Sequence, residues 1–305
     1  MCIYCILTPR RGEINIKIGK SLKKLRIAKG ITVKETCGNT INKGNYWRIE
    51  KDIVVPKVDT FLMILENMNV SIRDFLEIHD ISLNELDKLI PSLKEAFENK
   101  NTTYLNEIIT HYDRKYSDTK KNTYEHIAAL ASIFKSRLEE QAYDPVRANI
   151  LKEYLFKCEN WTYYEVRMLN NTLFLYDEFL MLIFYKRSMK FLNSTKQKGS
   201  LDNLKMKMSQ NIIMYSIDCH KPKVTVEAFE IMSSLILEEN SAYAKIIKMW
   251  LTGIYKYDKS GKGISEIMSA LKTLKILGMS NQLNLHISWT KKVLKEEDHN
   301  FLEKF

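Results

Sequence analysis

The chain has few of the residues that form turns, because its 305 residues include only 10 glycines and 5 prolines. An all-β fold built from many short strands needs more of both, so this composition argues against one. Apolar residues make up 45% of the sequence and charged residues 28%, which are ordinary values for a folded chain. We therefore predict an all-α fold, and the length favours one small domain and one larger one.

Cysteine and histidine are sparse and scattered. The five cysteines, an odd number, do not resemble the disulfide framework of a secreted domain, which favours a reduced, cytoplasmic protein. Cys2 and Cys5 form an isolated C-x-x-C motif without a second pair at zinc-finger spacing, and no two histidines are four residues apart. Walker, G-x-G-x-x-G and H-E-x-x-H motifs are absent. We therefore expect no metal, no cofactor and no enzymatic activity.

Long apolar runs are absent as well. The most apolar segment, residues 170–187, is interrupted by Asp177 and Glu178. It falls short of the ~18 apolar residues of a membrane span and is predicted to be a buried helix. In the opening MCIYCILTPRR, the positive charges follow the apolar residues, and no small-residue cleavage site comes next. Residues 1–15 are therefore predicted to be a cytoplasmic tail, and no membrane partner is expected.

Positive charge is what the sequence has in excess. The formal net charge of +10 would attract a polyanion such as nucleic acid, or an acidic membrane surface. A dense group of Lys and Arg residues lies between short apolar runs in residues 18–58. The alternative is a lysine-rich surface that is merely solvated, and net charge alone does not separate the two.

The N-terminal segment has the pattern of a basic amphipathic helix. Ile18, Leu22 and Leu25 share one helical face, the lysines lie largely elsewhere, and Gly30 is placed to end the helix. Thr32 with Glu35 forms a capping box that predicts a very short second helix, ending by residue 38.

A third helix is predicted from about residue 42, with Tyr46 and Ile49 spaced to face inward. Two further helices are predicted with Asp59 and Ser71 as N-caps. Five short helices in residues 16–79, with the second and third joined by a few residues, match the helix-turn-helix plan. In that plan the later helix enters the DNA major groove.

The third helix has side chains that can read bases, Arg at guanine and Asn at adenine, while the lysines of the first helix and the preceding arm can neutralise phosphates. The alternative is a small helical bundle whose outward charges only solvate it. The candidate DNA contacts are Lys20, Lys23, Arg26, Thr32, Lys34, Asn42, Lys43, Asn45, Tyr46 and Arg48.

The segments LRIAKGITVKE, RIEKD and VPKVDTFLMILENMNVSIRDFLEI resemble the Xre-type helix-turn-helix of the Rgg family of Gram-positive transcriptional regulators. The positions on the family pattern are Leu25, Arg26, Lys29, Gly30, Ile31, Thr32, Glu35, Ile49, Glu50, Leu65, Asn69 and Phe75. The sequence departs from the pattern at Val33, Thr36, Trp47-Arg48 and Lys51-Asp52. The family usually has a DNA-contacting Gln where this chain has Val33, so the resemblance implies an altered base preference.

Residues 80–305 read as successive helices, and the longest helical patterns cover 162–192 and 225–257. Loop signals at Tyr143-Asp144-Pro145, Lys221-Pro222 and Ser260-Gly261 recur at intervals near the length of a helical hairpin. We predict an α-solenoid that is similar to tetratricopeptide repeats (TPR-like), although the strict repeat consensus is absent. Such stacked hairpins present a concave surface to an extended partner.

The segment CENWTYYEVRMLNNTLFLY resembles a block of the Rgg repeat domain, through Trp161, Tyr164, Glu165, Leu169 and Asn171. The resemblance implies a domain that binds short hydrophobic signalling peptides and dimerises through its C-terminal part.

Within this block, Arg167 is the candidate for the peptide carboxylate, with an Asn bonding the peptide backbone. Alternatively, Arg167 is an exposed helix residue paired with Glu165 or near Asp177, and the aromatic residues are core. The candidate peptide-binding residues are Arg167, Asn170, Asn171, Trp161, Tyr163, Phe174 and Tyr215.

We therefore expect a cytoplasmic transcriptional regulator that responds to a signalling peptide, as in quorum sensing, and acts as a homodimer on double-stranded DNA of approximately two-fold symmetry. The alternative is a helical-repeat protein that binds other proteins and has no sequence-specific DNA binding.

Overall fold

The structure is a computed structural model that describes residues 18–79, 85–195 and 201–305. Every regular element in these ranges is a helix, which confirms the predicted all-α fold. The predicted N-terminal tail, with Cys2 and Cys5, lies outside the described residues. None of the described helices combines the length and apolarity needed to cross a membrane.

The helices fall into an N-terminal group of five and a longer series. The first group is α1 (Ile18–Ala28), α2 (Val33–Cys37), α3 (Lys43–Glu50), α4 (Val58–Asn67) and α5 (Ile72–Ile78). The series is α6 (Glu85–Glu98), α7 (Thr102–Thr119), α8 (Asn122–Leu138), α9 (Pro145–Lys157), α10 (Tyr163–Thr172), α11 (Glu178–Ser194), α12 (Asp202–Asp218), α13 (Pro222–Ser234), α14 (Ala242–Ser260), α15 (Ile264–Ile276) and α16 (Ser280–Val293). Short 3-10 segments cover Leu173–Leu175 and Glu296–Lys304.

The chain divides into two compact units. One contains the described residues up to 101 together with 113–124, and the other contains 102–112 and the described residues from 125 to 305. The boundary predicted at residues 79 and 80 stays a prediction, since residues 80–84 lie outside the described ones.

Two of the three N-caps predicted for the N-terminal helices are confirmed. Thr32 forms a capping box with Glu35 at the start of α2, and Ser71 begins α5 in the same way. Asn42 caps α3, where its Oδ1 accepts from the backbone N–H groups of two residues of the first turn. The prediction for α4 was wrong, because Lys57 is its N-cap residue and Asp59 lies inside the first turn.

The five helices enclose a core of their own. Leu22 and Leu25 of α1 are buried as their spacing predicts, and so are Tyr46 and Ile49 of α3. Ile64, Leu65, Met68 and Phe75 complete the larger part of this core. All members of the cluster fall between residues 22 and 75, so the five N-terminal helices share one hydrophobic core.

Helices α1 and α3 approach each other backbone to backbone. A Cβ atom at Gly19 would lie 1.7 Å from the carbonyl oxygen of Ile49, so only glycine permits this approach. The Gly19 N–H donates to Asp52 Oδ1 (2.7 Å), which satisfies one of the amides that a helix N-terminus leaves unpaired.

A nearly buried ion pair joins the same two helices. Arg26 of α1 donates from Nε to Glu50 Oε1 (2.7 Å) at the end of α3, and from Nη1 to the carbonyl oxygen of Ile31 (3.0 Å). The side chain of Arg26 is 13% exposed and that of Glu50 is 6% exposed. The hydrogen bond to Glu50 raises the pKa of Arg26. One guanidinium therefore fixes both the end of α3 and the loop that leads into α2.

In the second unit, consecutive helices from α9 to α16 pack on one another, as expected of a solenoid. The single helical patterns over 162–192 and 225–257 were wrong, because each is divided. Asp177 ends the first by capping α11, where its Oδ1 accepts from the Leu180 N–H (2.9 Å). In the second, Asp202 of α12 binds the connecting loop, since its Oδ2 accepts from the Glu238 N–H and from Ser241 Oγ.

The Arg26–Glu50 ion pair should stabilise mainly the five helices α1–α5. Arg26→Met would leave Glu50 as a buried, unpaired carboxylate and should lower the free energy of unfolding by ~3–5 kcal/mol, as for other broken buried pairs. Amide hydrogen exchange of peptides from residues 18–79 measures this locally. The control is Lys24→Met at an exposed site, which should change stability by under ~0.5 kcal/mol. Equal exchange in the two variants would contradict a stabilising ion pair.

Candidate functional site

The first candidate surface is the outward side of α2 and α3, which pack on each other. The connection between them is held from α4, because Asn67 Nδ2 donates to the carbonyl oxygen of Thr36 (2.8 Å). Gly38 ends α2 with a φ of 53°. The hydrogen bond from Asn67 and the backbone turn at Gly38 together define the angle at which α3 leaves the turn.

The outward side of α3 is polar and basic at its predicted positions. Lys43, Asn45 and Arg48 are exposed, as are Lys34 on α2 and Lys20 on α1. Lys23 is half-buried. These side chains are therefore available to an external partner, and their charge suits an anionic one.

Two other candidates are exposed but also hold helix ends. Thr32 Oγ1 accepts from the Glu35 N–H and donates to the Glu35 carboxylate (2.7 Å). This hydrogen bond lowers the pKa of Glu35. Asn42 Oδ1 accepts from the Gly44 N–H (2.8 Å), so only its amide NH₂ group remains for a partner.

Two predicted DNA contacts were wrong. Tyr46 is fully buried, as its inward spacing requires, and cannot contact an external molecule. Burial and the neighbouring carboxylate of Glu50 raise its pKa. Arg26 is bound to Glu50 and to the Ile31 carbonyl, so its guanidinium stabilises the domain instead of facing a phosphate.

Sequence reasoning missed two exposed residues on α3 and just beyond it. Trp47 is 54% exposed, and the Nζ atom of Lys51 lies 5.8 Å from the centre of its ring. The available signal was their departure from the family pattern, which showed an unusual aromatic residue next to Arg48.

The second candidate surface is one side of α10. Tyr163, Arg167, Asn170, Asn171 and Phe174 recur at intervals of three or four residues and are all half-buried, so they share one face of this helical segment. Their neighbours on the opposite side are buried in the core. The predicted peptide-binding residues of this segment are therefore presented together.

An aromatic and cationic cluster lies at the end of this face. The guanidinium carbon of Arg137, from α8, is 4.2 Å from the centre of the Phe174 ring. Tyr143 packs on the same ring at 5.5 Å, and Tyr215 of α12 donates from its hydroxyl to the Phe174 carbonyl oxygen (3.4 Å). Burial, with smaller contributions from Cys219 and Tyr143, raises the pKa of Tyr215 to about 12. Tyr215 therefore remains a neutral hydrogen-bonding group at physiological pH.

Two asparagine side chains meet beside this cluster. Asn211 Nδ2 of α12 donates to Asn170 Oδ1 (2.7 Å). The Asn170 amide nitrogen and the Asn211 amide oxygen can therefore form further hydrogen bonds. Asn171 is used differently, because its Nδ2 donates to the Arg167 carbonyl oxygen (2.7 Å) within the same helix. Asn170 is therefore better placed than Asn171 to bond a peptide backbone.

Trp161 was wrongly predicted to contact a peptide. It is 6% exposed, its Nε1 donates to the Cys158 carbonyl oxygen (3.1 Å), and its ring packs against Phe184. The alternative interpretation, plain core, holds for this residue. Tyr163 remains half-buried and packs edge-on against Phe191.

A network of polar groups fixes the start of α10. Glu165 is buried and accepts from the backbone N–H and hydroxyl of Thr162, and from the hydroxyl of Tyr154 (2.5 Å). His126 Nδ1 of α8 bonds the Tyr164 hydroxyl (2.8 Å). The rotation of α10, and with it the direction of its half-buried face, is thus set by hydrogen bonds from α8 and α9.

Arg137, Tyr143 and Asn211 were missed by the sequence analysis. They are far apart in sequence from Phe174 and Asn170, and no local pattern pairs them. The one usable signal was the loop at residues 143–145, which placed Tyr143 next to a helix end.

The described residues contain no group of three or more His, Cys, Asp or Glu side chains placed to hold a metal ion. Of the cysteines in these residues, Cys37 is buried, Cys158 is half-buried and Cys219 is exposed, and all three are free thiols.

Comparison with known proteins gives one family and several similar folds. The family described as HTH-type transcriptional regulator Rgg, C-terminal domain, matches residues 105–287.

Three solved structures resemble the chain over most of its length. The SHP pheromone receptor Rgg2 of Streptococcus dysgalactiae is 22% identical, with a TM-score of 0.75, over 92% of this chain and 100% of that one. A protein from Listeria monocytogenes EGD-e is 20% identical, with a TM-score of 0.78, over 92% and 98%. A bacterial peptide pheromone/receptor complex is 16% identical, with a TM-score of 0.66, over 91% and 98%. At these identities the likeness establishes the fold.

The network at α10 predicts a dependence of stability on pH. Burial lowers the pKa of His126 to about 4, below the value of ~6.5 in an unfolded chain. The unfolded state therefore binds more protons between these values, and stability falls as the pH falls. Between pH 7 and pH 5, protonation of His126 in the unfolded state should lower the free energy of unfolding of wild type by ~2 kcal/mol. The fall in the free energy of unfolding of His126→Gln over the same range should be smaller by ~2 kcal/mol.

Urea denaturation at the two pH values measures this difference. The matched control is His220→Gln, at an exposed site, which should behave as wild type. The same pH dependence in His126→Gln and wild type would show that His126 does not titrate as its burial requires.

Proposed function

The chain belongs to the Rgg family of HTH-type transcriptional regulators, and we propose that it binds double-stranded DNA through α2 and α3 and a short hydrophobic signalling peptide through its helical repeats. It acts in the cytoplasm as a homodimer on a DNA site of approximately two-fold symmetry. The peptide alters transcription by changing how the dimer binds or presents DNA. No catalytic step forms part of this proposal.

One observation carries the DNA part of the proposal. The outward face of α3 places Lys43, Asn45 and Arg48 in solvent on a short helix whose opposite face is fixed in the core. Arg and Asn are the side chains that make paired hydrogen bonds to guanine and adenine in the major groove. Lys20 and Lys34 add positive charge on the neighbouring helices, where phosphate contacts would set the position of α3.

The peptide part rests on the groups gathered at α10. Aromatic rings offer contact area to apolar side chains, the Asn170 and Asn211 amides can bond a peptide backbone, and a guanidinium can hold a carboxylate. Arg167 lies on the same face of the segment as Phe174. The names of two similar structures, a pheromone receptor and a peptide pheromone/receptor complex, support a peptide as the ligand.

Exposed apolar residues near the C-terminus support a homodimer. Ile276 and Leu277, at the end of α15, are 83% and 55% exposed, and Leu285 of α16 is also exposed. Adjacent exposed apolar side chains, such as Ile276 and Leu277, are typical of surfaces that associate. A two-fold dimer would present two copies of α3 to two half-sites of DNA.

One observation supports a second candidate function, the binding of a partner protein. Ile53, Val55 and Val58, around the connection between α3 and α4, are exposed and apolar. They would suit a protein partner, and the N-terminal domain would then be a docking module without sequence-specific DNA binding.

The base contacts predict a change in sequence preference. Arg48→Ala and Asn45→Ala should each weaken binding to a duplex selected by wild type by ~1–3 kcal/mol and relax preference at the contacted base. Lys23→Ala is the control, because loss of a phosphate contact should weaken binding equally on all sequences. Fluorescence anisotropy on matched duplexes measures both effects. If Arg48→Ala kept the affinity and the preferred sequence, α3 would not be the reading helix.

The peptide site predicts a separate loss. Arg167→Ala should weaken binding of a labelled short peptide, selected by wild type from a library of hydrophobic peptides, by ~1.5–3 kcal/mol, the range for a hydrogen bond to a charged group. DNA affinity without peptide should stay nearly unchanged. Lys190→Ala, on the exposed side of α11, is the control.

Titrations of peptide and of DNA against each variant separate the outcomes. Unaltered peptide affinity would remove Arg167 from the site. An equal loss of DNA binding would show that the substitution had damaged the fold.

A further inference from the structure

Trp47 is an exposed aromatic side chain on the helix that carries the proposed base contacts. Of the four tryptophans in the chain, Trp161 and Trp250 are buried and Trp289 is half-buried, whereas Trp47 is 54% exposed. Its neighbours Tyr46 and Ile49 complete the core of the domain without it. The indole ring is therefore not needed for folding at this position.

The charges around Trp47 indicate what kind of partner covers it. Lys43 precedes it by four residues and Lys51, the C-cap residue, follows it by four, so the three side chains lie along one side of α3 and its C-terminal end. Lys51 Nζ lies 5.8 Å from the centre of the ring, and the adjacent Arg48 is exposed. An apolar protein surface would have to desolvate these cations, whereas a polyanion would pair with them.

Helix geometry directs the Trp47 side chain toward the N-terminal end of α3. Side chains of an α-helix lean toward its N-terminus, over the residues three and four positions earlier. For Trp47 those residues are Lys43 and Gly44. Gly44 has no side chain, so nothing at that position competes with the indole for space at a base edge. The N-terminal residues of a recognition helix are the ones that reach base edges.

The major groove contains one apolar group on its base edges, the C5-methyl group of thymine. We propose that Trp47 reads a thymine methyl group, next to the base that Arg48 contacts, and is a determinant of DNA sequence specificity. This inference rests on the proposed DNA-binding function and adds a thymine to the site that α3 recognises.

Replacement of thymine by deoxyuridine tests this directly, because it removes the methyl group and keeps base pairing. The probe is a duplex that the full-length wild-type chain selects from a random double-stranded pool, with each dT replaced in turn by deoxyuridine. Wild type should lose about three- to fivefold in affinity at one dT of each half-site, the effect of one buried methyl group. Trp47→Ala should bind the parent duplex more weakly and show less than twofold sensitivity at that position.

Two further variants make the test specific. Trp47→Phe keeps an aromatic ring and should retain part of the sensitivity to deoxyuridine. Val55→Ala removes an exposed apolar side chain that is not on α3, and it should keep the full sensitivity of wild type. Circular dichroism and sedimentation velocity of each variant monitor folding and self-association.

The outcomes separate the inference from the function on which it rests. If wild type selects a sequence but is indifferent to every dT replacement, or if Trp47→Ala keeps the sensitivity, Trp47 does not read thymine and the DNA-binding function still stands. If Trp47→Ala instead abolishes self-association, the residue lies between two copies of the chain and the inference is wrong. If wild type selects no sequence at all, both fail.

Discussion

The contact between α1 and α3 is the constraint on which the N-terminal domain depends. Gly19 lets the two backbones approach, and the Arg26–Glu50 ion pair holds the C-terminal end of α3 against α1. Because Glu50 is nearly buried, its charge needs this partner, and the helix cannot rotate without breaking the pair. The orientation of the outward face of α3, including Arg48, follows from it. Rigid placement of this kind is what base recognition requires, since hydrogen bonds to base edges are directional.

The repeat unit uses the same principle with other groups. A buried carboxylate, Glu165, and a histidine kept neutral by burial, His126, set the rotation of α10. A peptide bound at this helix, as we propose, can influence DNA binding only if its affinity differs between two states of the protein. Arg137 and Tyr215, from α8 and α12, converge on Phe174 of the α10 segment. A peptide that changes how these helices pack would therefore favour one of the two states.

The features that the sequence predicts well are those encoded within three or four residues. Thr32 and Ser71 mark helix starts because each caps a nearby amide, so the starts of α2 and α5 could be located in advance. The role of Arg26 could not, because its partner Glu50 is 24 residues away and the pairing exists only in the fold. The break before α11 was missed because apolar residues resume directly after Asp177 and Glu178, although the Asp177 side chain caps a new helix there. The cluster around the α10 face could not be predicted either, because its members come from helices that are distant in the sequence.

The central claim is that the exposed basic face of the N-terminal domain binds DNA, and the salt dependence of affinity tests it most directly. The affinity of the full-length chain for its selected duplex is measured between 50 and 200 mM salt. Release of counterions from six or more phosphate contacts should reduce the affinity by about 10³-fold or more over this range. An affinity that hardly changes with salt would show that this face does not bind DNA through phosphate contacts.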